Sequence, residues 1–243
     1  MKKVMVGDVP GKVLGMLTDL GHKLQHGVIT PEQLAEFLKK TKPTDSDVAK
    51  PLVSTEEFII NNVYNWRLFY QKFFNLHLDF SEVYIPKYPG RGWNLLIVAK
   101  GVTLEMLFQK YRAIYGWGWK WTDENLDQIV VSVRNSETGS YAVWVSDNQE
   151  SDDDLKNLSA NFVESNNIIT ETLAERLLQE FKFYNKTGKH LDVIGSTLCG
   201  DSRWNGLVPS VSWRQDDNGG GIHINWQSCN RSNRALGARR VII

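Results

Sequence analysis

The residues that could do chemistry gather towards the C-terminal half of this chain. Cys199, His190, His223, Asp192 and Asp201 include the types of a thiol nucleophile, a base and an orienting carboxylate. Such a group works only when sulfur, imidazole and carboxylate lie within hydrogen-bond reach of one another. No catalytic signature surrounds Cys199, and Thr197-Leu198-Cys199 reads as the setting of a small buried thiol. Zinc needs paired ligands at short spacing. Cys199, Cys229, His190 and His223 offer neither C-x-x-C nor H-x-x-x-H, so no metal is expected. The glycine-rich run 218–221 has no lysine after it and reads as a turn rather than a phosphate loop, so no cofactor is expected either. The acidic stretch 147–154 lacks the glycine and the terminal glutamate of a calcium loop and reads as a solvated loop.

A second chemistry is recognition of a polyanion. Six arginines, Arg203, Arg214, Arg231, Arg234, Arg239 and Arg240, meet only Asp216 and Asp217 in the same stretch. That is a local excess of positive charge in a chain with 28 basic and 28 acidic residues and a net charge of zero. Arginine pairs bidentately with phosphate and stacks on aromatic planes. Trp204, Trp213 and Trp226 interleave with these arginines. Basic charge among aromatic platforms is the composition of single-strand nucleic-acid surfaces. The expected binding residues are therefore Arg203, Trp204, Trp213, His223, Trp226, Arg231, Arg234, Arg239 and Arg240, and the expected ligand is a single-stranded nucleic acid. A competing reading pairs these arginines with the acidic loop 147–154. Three further tryptophans, Trp117, Trp119 and Trp121, alternate with small or polar residues. In a strand they share one face, which is either a wall packed under a helix or a stacking platform for a base or a sugar ring. The alternatives to a nucleic-acid binder are a small hydrolase using Cys199 with His and Asp, a carbohydrate-binding module, and a protein-interaction module.

The elements that must position these residues follow from periodicity. Leucines at Leu14, Leu17, Leu20 and Leu24 predict a helix over 12–25, ended by Gly27. Thr30-Pro31 with Gln33 starts a second helix over 31–40. Residues 1–41 thus form an N-terminal helical hairpin whose apolar stripe packs on the main domain or on a protein partner. Residues 42–51, polar with prolines at Pro43 and Pro51, form a linker. Residues 52–243 form a single domain that ends in a Trp/Arg-rich β module at 198–243. Within it, Ser54 and Glu57 open an aromatic-rich helix over 55–74. Alternation predicts a strand over 75–84, and the apolar run 93–99 a central strand. Thr103 caps a helix through residue 115. The runs 128–134 and 140–146 are expected to pair as a hairpin around the turn 135–139. Thr170 caps the last long helix, over 171–186, with Gly188 as its stop. The runs 208–213 and 221–226 form a second hairpin, in which Ile222, Ile224 and Trp226 face one side and His223 and Asn225 the other.

The C-terminal hundred residues resemble a family of uncharacterised proteins from uncultured bacteria. The likeness is carried by 155–161 (LKNLSAN), 187–192 (TGKHLD), Leu198-Cys199, Ser202-Arg203, 208–211 (VPSV) and Trp213. It implies no activity, cofactor or site. The expected class is α+β, with a mixed and at least partly antiparallel sheet packed with helices. At 42% hydrophobic and 23% charged the composition is that of an ordinary globular chain. No apolar run approaches the ~20 residues of a membrane span. No secretory leader stands at the start, and two cysteines make no disulfide framework. The expected location is therefore the cytoplasm, without membrane contact.

Overall fold

A computed structural model describes residues 19–20, 22–40, 54–116, 118–215 and 220–243. The whole expected linker, residue 117 and the tip of the second hairpin lie outside the described residues, as does most of the first helix. Contacts divide the chain into two units, Met1–Phe58 and Ile59–Ile243. In the first, the chain is helical at 22–25, Gly27 turns left-handed, and helix α1 spans Pro31–Lys40. Its start is the expected reciprocal cap: Gln33 N–H donates to Thr30 Oγ1 at 3.2 Å, and Thr30 N–H donates to Gln33 Oε1 at 2.9 Å.

The larger unit is α+β. Helix α2 (Thr55–Phe74), which crosses from the first unit into the second, leads into strand β1 (Trp93–Val98), helix α3 (Leu104–Tyr115) and strand β2 (Gly118–Lys120). A single helical turn α4 (Leu126–Ile129), β3 (Val131–Ser132) and β4 (Tyr141–Ser146) follow. After a 3-10 turn at Asp153–Leu155 come α5 (Ala160–Ser165) and α6 (Leu173–Thr187). Six strands close the chain: β5 (Ser196–Leu198), β6 (Ser202–Arg203), β7 (Leu207–Arg214), β8 (Gly221–Ser228), β9 (Leu236–Ala238) and β10 (Val241–Ile242). They form a three-stranded sheet β1-β4-β10, a five-stranded sheet β2-β8-β7-β5-β9 and a two-stranded ribbon β3-β6. The three-stranded sheet is antiparallel, whereas β2-β8 and β5-β9 pair parallel, so the five-stranded sheet is mixed.

Helix α2 covers the outer edge of β1. Trp66 Nε1 donates to Leu95 O at 2.8 Å, and the Tyr70 hydroxyl donates to Ile97 O at 2.7 Å while accepting from Ala99 N at 3.1 Å. Both side chains are fully buried. An exposed edge would otherwise offer a row of unpaired groups to any passing strand. Helix α6 packs against both β1 and β7 and so ties the two large sheets together. Its inward Leu177, Leu178 and Phe181 are buried. Its start is a capping box made by Thr172 and Glu175, two residues later than the expected Thr170 cap, and it stops at Gly188 with φ 69°, as expected. Thr170 instead forms a bridge with Arg240.

Two expected β elements are corrected. Residues 75–84 form no strand. Asn75 ends α2 at a φ of 55°, Arg67 Nε donates to Leu78 O, and Phe80 packs edge-on to Tyr70. The alternation there reflects one-sided burial against α2 rather than a ladder. Nor do 128–134 and 140–146 pair with each other. Asn125 caps the turn α4, β3 pairs with β6, and β4 pairs with β1 and β10. The buried run of β1 is a better partner for β4 than β3, whose Val131 stays exposed, as does Val133 just after it.

Gly237 of β9 lies against Ser151, and a methyl group there would collide with Ser151 Oγ and stand 2.8 Å from its Cβ. Gly237→Ala is expected to lower stability by about 1–3 kcal/mol. Urea unfolding of the variant checks this.

Candidate functional site

The expected binding residues do not share one surface. Arg239 is fully buried. Its guanidinium donates to Asp192 Oδ1 at 2.8 Å, to the carbonyls of Asn148 and Gln149 at 2.8 and 2.9 Å, and through Nε to Thr197 Oγ1 at 3.1 Å. Arg240 pairs with Asp154 at 2.9 Å, and its backbone N–H donates to Asp152. The acidic loop is thus bound to these two arginines, and Asp152 within it is buried rather than solvated. Arg203 pairs with Glu164 and donates to Gly200 O. Only Arg231 and Arg234 of the six arginines are exposed. Trp226 is buried against Trp204, with ring centroids 4.7 Å apart. Trp213 stacks flat on His190 at 3.3 Å with 4° between planes.

A buried charge network surrounds Arg239. Asp192, at a φ of 52°, takes Arg239 on one oxygen, and Arg176 Nε at 2.8 Å and Thr197 Oγ1 at 2.7 Å on the other. Burial works against its charge, but Arg239 and Arg176 hold its carboxyl below the ordinary range. Arg176 also donates to Glu180, whose other oxygen meets His190 Nδ1 at 2.8 Å. The His190 ring lies between Trp213 and Tyr184. Nearby, Arg134 makes a two-pronged bond to Glu175, at 2.8 Å for each prong, and a bond to Asp201 at 2.6 Å. The acids of the expected triad are therefore engaged by arginines, and His190 turns to Glu180. Cys199 is fully buried, and burial first, then Glu171, push its thiol well above its ordinary range, which disfavours the nucleophilic thiolate. Cys199 and Cys229 are both free. Among the described residues no group of three or more His, Cys, Asp or Glu could hold a metal.

The open surface lies elsewhere, on the outer face of the five-stranded sheet. Strand β8 alternates as expected: Ile222, Ile224 and Trp226 are buried on the inner face, and His223, Asn225 and Gln227 lie half-buried on the outer one. The ladder sets Trp119 of β2 and Ser212 of β7 beside His223, and Ser210 beside Asn225. The Trp119 ring lies 5.4 Å from that of His223. One residue past β2, Trp121 continues the ladder by donating its N–H to Ile224 O at 3.0 Å. The indoles are 37% and 59% exposed. Gln227 Nε2 donates to Ser210 Oγ. At the other end of this face α5 lays Ala160 over Leu198, Val208 and Leu236. Lys120 turns to the opposite side, where its ammonium meets Glu105 at 2.8 Å and Glu124 O at 2.6 Å. The platform is therefore two exposed indoles near the half-buried His223, Asn225 and Gln227, while Ser210 and Ser212 of β7 are buried. Alternation in β8 foretold His223 and Asn225 on one face, whereas Trp117 of the expected three-tryptophan face lies outside the described residues. Gln227 shares that face by the same alternation, and the β7–β8 ladder adds Ser210 and Ser212.

No family model, no curated protein and no solved structure matches this chain. Among the described residues no helix is long and apolar enough to cross a membrane.

Two outcomes follow from the buried charges. Removing one cation from Asp192 leaves a buried charge short of a partner, so Arg239→Ala is expected to destabilise by about 3–5 kcal/mol. Chemical denaturation measures it, and a loss below about 1 kcal/mol would place Arg239 outside the structural network. Glu171 is fully buried, and its carboxyl oxygens have no hydrogen-bond partner among the described residues. Burial pushes its carboxyl up to about 8 against the pull of Arg239 and Arg176, with Glu175 and Asp192 adding to the rise. The folded state thus keeps a proton that the unfolded chain releases near the ordinary glutamate value of about 4.3. Stability from this proton is full below that value and is lost as pH rises towards about 8. Glu171→Gln stays neutral and lacks that fall. The wild type should therefore lose melting temperature relative to the variant across this window, and parallel profiles would refute the assignment.

Proposed function

We propose that this protein is a non-enzymatic binding protein, that its working surface is the outer face of β2 and β8, and that its ligand is a neutral carbohydrate. The observation that carries this reading is the exposed pair Trp119 and Trp121 at the β2 edge of the sheet, with the Trp119 ring 5.4 Å from that of the half-buried His223. An indole offers a flat apolar surface to the C–H face of a sugar ring, and amide and imidazole groups can donate to or accept from its hydroxyls. A binding surface on paired strands is held rigid, as stacking recognition requires. Charge weighs against a single-stranded nucleic acid on this face. Lys120 faces away, Asp123 and Glu124 follow Trp121 in sequence, and four of the six arginines are half-buried or buried. A polyanion needs a basic groove along its track.

Titration of xylo-, cello- and chito-oligosaccharides, followed by tryptophan fluorescence, tests the reading. At least one series is expected to bind, and Trp119→Ala and Trp121→Ala are each expected to weaken it about tenfold, about 1.4 kcal/mol. The Trp121 variant should melt at the wild-type temperature, since its indole is largely exposed. Salt-sensitive binding of an oligothymidylate with no response to any glycan would replace the carbohydrate reading with the nucleic-acid one.

A further inference from the structure

A different site lies where helix α2 meets helix α6. The Phe181 ring packs against those of Phe69 and Phe74 at 6.4 and 6.2 Å, and two lysines bridge the contact. Lys182 Nζ donates to Asn65 O at 3.3 Å and stands 4.4 Å from the centre of the Trp66 ring. Lys72 Nζ donates to Asn185 Oδ1 at 3.3 Å and stands 4.7 Å from the centre of the Phe73 ring. Lys186, exposed, follows Lys182 by one helical turn. Residues 58–74 and 181–189 hold five cations, Arg67, Lys72, Lys182, Lys186 and Lys189, and no acid, in a chain of zero net charge. Arg67 is held by Leu78 O, so the excess rests on the lysines. The buried acids of α6, Glu175 and Glu180, are taken by Arg134 and Arg176.

Elsewhere enclosed cations are neutralised: Lys120 meets Glu105, Arg134 meets Glu175, and Arg176 and Arg239 meet Asp192. At this seam none of Lys72, Lys182 and Lys186 meets a carboxylate among the described residues. Lys182 is half-buried, and burial first, then the Lys186 ammonium, push it down to about 8. Like charges one helical turn apart destabilise a helix, so the pair is a cost that an anion between them offsets. Each ammonium carries three N–H donors, and one carbonyl oxygen takes only one of them. We propose that the seam of α2 and α6 is an anion site that takes a soluble ligand with two or three linked phosphate groups. Lysine serves phosphate as a point charge. A lone carboxylate brings one charge to three ammonium groups, whereas linked phosphates bring several charges and an acceptor for each. Asn65 and Lys72 mark the length of the site: they lie two turns apart on α2, about 10 Å at the helical rise. That is room for a short run of phosphates, not for a polymer laid along a groove.

Sodium tripolyphosphate, titrated into the whole 243-residue protein at low salt and followed by calorimetry, is the probe. Saturable binding that weakens as salt rises is expected. Lys72→Gln and Lys182→Gln should each weaken it about tenfold, the loss expected when a hydrogen bond to a charged group is removed. Lys186→Gln should weaken it without moving the melting temperature, since that side chain is exposed. Lys156→Gln, whose ammonium pairs with Asp153 away from the seam, should bind as the wild type does. Absence of binding at low salt overturns the proposal, as does an affinity that all three seam variants leave unchanged. Binding to phosphatidylserine vesicles through the same lysines, with no response to tripolyphosphate, would also overturn it and assign the seam to a membrane surface. The site shares no residue with the Trp119 face, so this titration and the oligosaccharide one succeed or fail independently.

Discussion

Asp192 holds the larger unit together. One carboxylate, with its backbone in the left-handed region, accepts from Arg176 of α6, from Arg239 between β9 and β10, and from Thr197 of β5. Its own carbonyl accepts from Trp213 of β7, and its N–H donates to Gln149 of the acidic loop. Helix, sheet and loop therefore meet at one side chain from which water is excluded. Taking such charges out of water costs several kcal/mol per ion, and the cost is offset only when every remaining donor and acceptor is engaged. Asp192 and Arg239 come close to that condition. The network specifies where the elements go more than it adds to stability, because a shifted α6 or β9 would leave a buried ion unpaired.

That rigidity bears on the outer face. Thr197 of β5 and Trp213 of β7 touch the network, and β7 carries Ser210 and Ser212 on its opposite side, beside the polar row of β8. The sheet is thus fixed from within by ions and stacked rings, and its outer end stays open at β2 and β8. Stacking surfaces work when the aromatic groups do not have to be ordered by the ligand. The same contrast separates the tryptophans. Trp66, Trp144 and Trp226 are core, whereas Trp119, on the edge strand β2, and Trp121 are exposed.

Local signals were legible in the sequence wherever they were self-contained. The Thr30, Ser54 and Thr103 caps, the Gly188 stop, the β7–β8 hairpin and the alternation of β8 all stand as the residues announce them. Long-range pairing was not legible. Nothing in the run 140–146 says that its partners are 93–98 and 241–242 rather than the nearby 128–134, because all three runs are rich in apolar residues. Nor does composition separate a buried arginine from a surface one. Arg239 and Arg240 are adjacent in sequence, yet the first is enclosed with Asp192 and the second pairs at the surface with Asp154. The density of arginine near 240 suggested a ligand for phosphate, while the matching acids lay about fifty and ninety residues earlier.

The strands β9 and β10 have a consequence for synthesis. They complete both large sheets and deliver Arg239 to Asp192, yet they are made after every other element described. On a ribosome, α6, Asp192 and β4 emerge while their partners are still missing. Until then Asp192 and Arg176 form a site with one cation short, and Trp144 of β4 lacks its partner Ile242. A chain with such late, sequence-distant closure cannot lock its core vectorially from the N-terminus. Its nascent form needs shielding until residues 236–242 have cleared the exit tunnel, and a product released before them lacks the final strand of each large sheet.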